Sequence, residues 1–384
     1  MSVDETKTKA DLDAVGAELA GAPGIVRSLA HVRTAAALLA TFAVGLAGGF
    51  AAKWLHFPLP YMTGSLLTTA ALGLAGVPVR SVWQARAAGQ FVTGSAIGTS
   101  FTPALLLALI GLLPAIIVGA AVSVLIGCVG AVMLMRLGQV DPRTAFLATT
   151  PGGVIEMANV AARIGADPLP IMVLQTMRVG LTVCVAPFLA TLIAENGPPH
   201  EVVRAEVMSW LTVAALMTAS FAGGMILRLF KLPNYWFLGS ILTVSIIGSL
   251  GLVHGRVPDV ILIVAQVTIG VSIGTQYRHE FLTRLLRLLL SSFVTVPFAL
   301  LATGLLAAVY TAVLALPLPT MFLSLAPAGI AEMALTGKVL GLDAAVITGF
   351  HMVRILLVTL GAAYACRLFE RLVVRWTQGR RPCC

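Results

Sequence analysis

Glu156 and Glu332 stand 176 positions apart, and so do Asp167 and Asp343, Gly165 and Gly341, and Arg178 and Arg354. The same offset joins Gln90 to Gln266, Gly94 to Gly270, Gly98 to Gly274 and Thr99 to Thr275. An offset of 175 joins Pro58, Gly64 and Ser65 to Pro233, Gly239 and Ser240. Matched residues at one period predict a unit of roughly 170 residues written twice, so whatever one half folds into, the other must fold into as well. The predicted layout is a tail over 1–32, a first copy over 33–196, a hinge over 197–205, a second copy over 206–370 and a basic tail over 371–384.

Composition then decides the solvent. Hydrophobic residues make up 58% of the chain and charged residues 11%, with a mean hydropathy of +0.97. A soluble domain carries about 25% charged residues on its surface. Residues 104–135 hold no charge at all. As a helix they would run to roughly 48 Å, longer than the ~30 Å hydrocarbon layer, so the helix must tilt or bend, with Pro114 as the expected kink. The other apolar runs of the first copy cover 34–55, 61–75, 87–100 and 168–194, with the Pro151 element between the last two long ones. The second copy repeats the order over 207–229, 235–252, 260–277, 288–314, the Pro327 element and 344–368. An all-α polytopic membrane protein follows.

The charges orient it. After the fourth run of the first copy stand Arg136 and Arg143, and the junction after its third run is bare. In the second copy Arg278, Arg284 and Arg287 follow the third run, and 315–319, after the fourth, is bare. Positive residues are retained on the cytoplasmic side, so the two copies are predicted to be inverted. Lys53, Arg204, Arg256 and Lys338 stand against the pattern. Inversion needs an odd number of crossings per copy. Six runs satisfy it if the Pro-Gly element enters and leaves on one side, giving ten transmembrane helices and two re-entrant elements. Both termini then face the cytoplasm of a bacterial inner membrane.

Pro151-Gly152-Gly153 precedes Glu156, and Pro327-Ala328-Gly329 precedes Glu332. Non-helical backbone at membrane depth is tolerated where it faces protein or a water-filled cavity, and broken helices there present N-termini suited to an anion. A carboxylate in such a place is a functional candidate that can take up protons. A competing reading is structural: Arg178 and Arg354 each follow their glutamate by 22 residues and could neutralise it. Gly94-x-x-x-Gly98 and Gly270-x-x-x-Gly274 suit close helix packing, while Gln90, Thr99, Gln266 and Thr275 beside them could line a polar path. The candidate site is therefore Pro151, Gly152, Gly153, Glu156, Arg178, Pro327, Gly329, Glu332 and Arg354, with those four polar residues added.

Enzyme chemistry finds no footing. The six histidines are scattered without metal-ligand spacing, and no phosphate loop or nucleophile elbow is present. His351 reads as a satisfied core residue. The odd count of five cysteines gives no disulfide framework. No cofactor or metal is expected. The net charge of +9 reads as cytoplasmic retention rather than nucleic-acid binding.

Pro60-Tyr61-x-x-Gly64-Ser65, Gly94-x-x-x-Gly98-Thr99 and Thr150-Pro151-Gly152-Gly153-x-x-Glu156-Met157 together resemble the AbrB-like membrane protein family, over about residues 35 to 370. The second copy departs with Asn234 before Tyr235 and with Ala328. Labels in that family include ammonia monooxygenase and transcriptional regulator. The sequence offers no metal site for the first and no DNA-binding module for the second. By analogy the architecture is similar to ten-helix inverted-repeat carriers such as bile-acid symporters and auxin efflux carriers. The expectation is a secondary transporter of a small organic solute working by alternating access in the lipid bilayer. Protons or sodium are the candidate coupling ions, and a homo-oligomer stays open. The alternative is a membrane-embedded regulator or sensor of gene expression.

Overall fold

The structure, a computed structural model, describes residues 24–195, 206–230, 234–253 and 255–378. The predicted hinge over 197–205, residues 1–23 of the predicted N-terminal tail and residues 379–384 of the predicted basic tail lie outside the described residues. Fourteen helices form among those described. They are α1 (Gly24–Trp54), α2 (Pro60–Leu74), α3 (Trp83–Gly98), α4 (Pro103–Gly138), α5 (Pro142–Thr149), α6 (Val154–Ile164) and α7 (Pro168–Glu195). After the hinge come α8 (Trp210–Leu229), α9 (Tyr235–Ser249), α10 (Asp259–Gly274), α11 (His279–Leu314), α12 (Leu318–Leu325), α13 (Ile330–Val339) and α14 (Ala344–Gln378). Outside the helices, Val207 and Arg256 form an isolated parallel bridge.

Among the described residues six helices are long and apolar enough to cross a membrane: α1 over Thr34–Trp54, α4, α7, α8, α11 over Leu285–Leu314, and α14 over Ala344–Val373. The all-helical, strongly apolar character expected of the chain is what forms. Boundaries differ from the hydropathy reading where polar residues join a helix. Helix α14 runs on past 368 to Gln378, and α11 begins at His279, with non-helical backbone at Leu285 (φ −127°). At the start of α8, Ser209 caps by accepting from the Thr212 N–H, so Val207 stays outside.

Left-handed backbone recurs at the same offsets as the sequence matches. Leu59 (φ 49°) and Asn234 (φ 50°) precede α2 and α9; Gln139 (φ 53°) and Ala315 (φ 53°) follow α4 and α11. Gly165 (φ 74°) and Gly341 (φ 70°) form another such pair. Leucine adopts this conformation at a steric cost that asparagine largely escapes. Its presence at Leu59 means the turn geometry is imposed by the surrounding packing.

The chain divides into two compact units. One comprises Met1–Gln90 with Asp259–Thr283, the other Phe91–Pro258 with Arg284–Cys384. In the first, α2 packs against α1 and α10. A Cβ on Gly270 of α10 would strike the Met62 carbonyl and the Ser65 hydroxyl of α2, and one on Gly274 would lie 2.6 Å from the Leu66 carbonyl oxygen. In the second, α9 packs against α8 and against the end of α3. There a Cβ on Gly94 would lie 2.6 Å from the Phe237 carbonyl oxygen, and one on Gly98 would lie 2.6 Å from Val244 Cβ. Met62 and Phe237, like Ser65 and Ser240, are 175 positions apart. Each half of the chain thus lends its Gly-x-x-x-Gly helix to the other half, backbone against backbone.

The second unit holds a core of Phe146, Leu147, Met157, Ile171, Leu174 and Phe369, with the Phe146 and Phe369 rings 5.4 Å apart. Its outer faces are as apolar as this core. Leu107 on α4, Leu305 on α11 and Leu360 on α14 are 70%, 73% and 83% exposed. Burying one such side chain is worth about 1.5–3 kcal/mol, so a chain folding in water would hide these faces.

Candidate functional site

The second unit carries both Pro-Gly breaks. Helix α5 is capped by Asp141, whose Oδ2 accepts from the Arg143 and Thr144 N–H groups at 3.1 Å each. It ends after eight residues because Pro151 disfavours helical backbone at Thr150, which is extended (φ −63°, ψ 133°). The chain restarts as α6 from the N-cap Gly153. Arg143 Nη1–H then donates to the Ile164 carbonyl at 3.0 Å. Residues 143 and 164 would lie about 30 Å apart along one straight helix. The start of α5 and the end of α6 are instead side by side, so the element is a helix-break-helix hairpin. The later element has the same parts: α12, an extended Ala326 (φ −53°, ψ 139°), Pro327, and α13 restarting from the N-cap Gly329.

A break strands backbone carbonyls that no helix partner can satisfy. Four are taken up by the helix that follows. From α7, Gln175 Nε2 donates to Leu147 O at 2.6 Å and Thr150 O at 3.1 Å. Arg178 Nη1 donates to Thr150 O at 2.7 Å and Thr149 O at 3.3 Å, and its Nη2 to Gly152 O at 3.1 Å. From α14, Arg354 Nη1 donates to Leu325 O and Ala326 O at 3.0 Å each, and its Nη2 to Ala328 O at 3.3 Å. His351 stands where Gln175 does, with Nε2 2.9 Å from Leu323 O and Nδ1 2.9 Å from Arg354 Nη2. A carbonyl can only accept and a guanidinium can only donate. The ring is therefore the neutral tautomer with its proton on Nε2.

Arg178 and Arg354, for which the sequence left open a role as neutralising partners of Glu156 and Glu332, are engaged with the carbonyls of the breaks. Both arginines are buried, 4% and 3% exposed, and each keeps an unpartnered Nε–H.

Each glutamate sits at the third position of its restarted helix, in the first turn. Its carboxylate folds back over the N-cap glycine: a Cβ on Gly153 or Gly329 would collide with Glu156 Oε2 or Glu332 Oε2. An acid at this position satisfies helix-start N–H groups and meets the positive end of the helix dipole. A glycine at the cap leaves it room. The two glutamates differ in burial: Glu332 is buried at 1% exposure, while Glu156 is half-buried.

Pro151 and Pro327 line one cavity with Thr149, Arg178 and the facing stretches of α4 and α11. Hydroxyls of Ser123, Ser292, Thr295 and Thr303 lie along it. Its free space is about 30 Å³. That suits one or two waters. The sequence reading missed these hydroxyls, since four short polar residues inside long apolar runs read as tolerated spacers. It also missed Gln175, and it read His351 as a satisfied core residue, which it is, without its bond to the break; the two share the 176 offset but not an identity.

The remaining candidates fall elsewhere. Gln90, Gln266 and Thr275 belong to the first unit, where Gln266 Oε1 is buried without a hydrogen-bond partner. Thr99 lies at the end of α3, 3.5 Å from Lys338 Nζ, which also donates to Ser100 Oγ at 2.6 Å. Lys338, a charge against the topology pattern, is thus held by hydroxyls. Among the described residues no group of three His, Cys, Asp or Glu could hold a metal ion.

Two arginine-held Pro-Gly breaks in an apolar helical frame define the class of this protein. It belongs to the AbrB family: the family model described as "Transition state regulatory protein AbrB" matches residues 61–370. The "Uncharacterized protein YhjN" of Bacillus subtilis (strain 168) is 27% identical over 344 residues, 82% of this chain and 88% of its own. The "Putative regulator AbrB" of Escherichia coli (strain K12) is 25% identical over 326 residues, 83% of this chain and 91% of its own.

Proposed function

We propose that the protein is a secondary transporter of a small organic solute in a bacterial inner membrane, working by alternating access around the two hairpins. The observation that carries this reading is the pair of hairpins themselves. Both break at Pro, both restart at a glycine capped by a glutamate, and both have their stranded carbonyls held by an arginine 22 residues beyond that glutamate. Irregular backbone of this kind inside apolar helices is a feature of sites that bind solutes at membrane depth. The breaks meet at one cavity, and nothing in a purely structural role requires two of them there. Protons carried by Glu156 or Glu332 are the coupling ions we favour, with sodium as the alternative.

In this reading the chain is two inverted copies, with five crossings each and one re-entrant hairpin per copy. The matched left-handed residues, the exchanged Gly-x-x-x-Gly helices and the one-sided geometry of the α5–α6 hairpin support it. Both termini then face the cytoplasm, and Gly197 the periplasm. Single cysteines at residue 15, 197 or 380 in a cysteine-free background are expected to label accordingly. Labelling of position 197 from the cytoplasmic side alone would overturn the ten-crossing arrangement.

The family description and one relative's name favour a second reading, a membrane-embedded regulator. Deleting residues 1–30 separates the two. A carrier keeps solute-dependent thermal stabilisation and uptake, whereas a regulator signalling through its tail loses its effect on gene expression.

A further inference from the structure

Outside the hairpin cavity the second unit has another cleft, of about 240 Å³, at the open end of the α5–α6 hairpin. It is lined by Arg143, Arg163, Ile164, Cys366, Arg367 and Glu370. Arg143 is committed to structure, with Nε on Glu370 Oε1 at 3.0 Å and Nη1 on Ile164 O. Arg163 and Arg367 are exposed and hold no hydrogen bond or ion pair among the described residues. Glu370 is the one carboxylate in the lining, and Asp141 nearby is engaged in capping α5. Three guanidiniums thus converge on an open cleft with their charge only partly balanced. Planar forks of this kind match the oxygens of a phosphate.

The cleft's place on α14 says where such a phosphate comes from. Leu360 and Tyr364, 83% and 76% exposed, precede Arg367, and Arg371 follows it. Exposed arginines here alternate with exposed Leu368 and Leu372, the mixed apolar and basic surface that suits the level of lipid headgroups. Basic pockets at that level on the cytoplasmic side take anionic headgroups.

We propose that Arg143, Arg163 and Arg367 bind the phosphate of an anionic phospholipid at the mouth of the first hairpin, with the acyl chains lying along the exposed face of α14. The site rests on the cytoplasmic placement of that mouth and is independent of transport. Both ends of the hairpin meet at this cleft, so an occupied site clamps them together.

Purified protein in detergent, titrated with phosphatidylglycerol, tests it by thermal stability. Wild type is expected to gain stability with phosphatidylglycerol and not with phosphatidylcholine. Arg163→Gln and Arg367→Gln should each weaken the apparent affinity about fivefold, and together about 25-fold. Neither residue holds the hairpin, so both variants should fold with the unliganded stability of wild type. Equal response to the two lipids, or a double variant that responds like wild type, would overturn the proposal. Inorganic phosphate alone giving the full stabilisation, with nothing added by phosphatidylglycerol, would overturn the lipid source. A loss of transport in the glutamate variants discussed below leaves this outcome unchanged, so the two readings fail separately.

Discussion

Replacing Arg178 with glutamine is expected to lower the melting temperature of the purified protein by about 10 °C or more. The guanidinium takes up the carbonyls of Thr149, Thr150 and Gly152; Thr150 keeps the Gly152 N–H and Gln175 Nε2 as donors without it, while the contacts to Thr149 O at 3.3 Å and Gly152 O at 3.1 Å are lost. A buried acceptor left without a donor costs about 1–3 kcal/mol, and each kcal/mol is worth about 2–4 °C in a protein of moderate size. A glutamine is too short to span the three carbonyls from the same backbone position. Lysine keeps the charge but offers a point instead of a fork, so Arg178→Lys should fall nearly as far. Arg354→Gln is expected to behave alike, with the added loss of the Nη2 contact that orients His351. The test that discriminates is the double variant. If the arginines served to neutralise the glutamates, Glu156→Gln with Arg178→Gln would be more stable than Arg178→Gln alone. With the guanidinium on backbone carbonyls, removing the acid restores nothing, and the double variant should be no more stable than the arginine variant. A clear rescue would return Arg178 to the role of counter-ion.

That distinction marks where the sequence stopped being informative. Identities at a fixed offset were legible where the backbone demands them, as at Gly94 and Gly270, which must both be glycine to let the Phe237 and Met62 carbonyls approach. The breaks were legible for a similar reason: proline and glycine act on the backbone directly. The partners of the breaks were not. Gln175 and His351 do the same work with different atoms, so a search by identity passes over them. Charges in a sequence invite pairing with other charges, and a stranded carbonyl leaves no mark in the residue letters. The residues Ser123, Ser292, Thr295 and Thr303 are similarly silent, since a helix interior absorbs hydroxyls by bonding them back to their own turn, as Ser123 does to the Gly119 carbonyl at 2.8 Å and Thr303 to the Ala299 carbonyl at 2.8 Å.

Glu156→Gln and Glu332→Gln are expected to abolish proton-driven accumulation of the solute while leaving the fold intact. The third position of a helix accepts glutamine as readily as glutamate for reaching back to the cap, so the amide keeps the local hydrogen bonds. What it loses is the interaction of a charge with the helix dipole, about 0.3–1 kcal/mol, and the ability to exchange a proton. Stability and transport should therefore separate: melting temperatures close to wild type, and accumulation in proteoliposomes reduced to background. Glu332, at 1% exposure, has less access to water than half-buried Glu156, so the two substitutions need not act alike. If one glutamate couples protons and the other shapes the site, the coupling variant should still exchange solute down its gradient but ignore an imposed pH difference. The shaping variant should lose exchange as well. The solute for these assays is the one that raises the melting temperature of the purified wild-type protein. Two glutamine variants that bind that solute and accumulate it at the wild-type rate would remove both glutamates from the mechanism and leave them as helix caps.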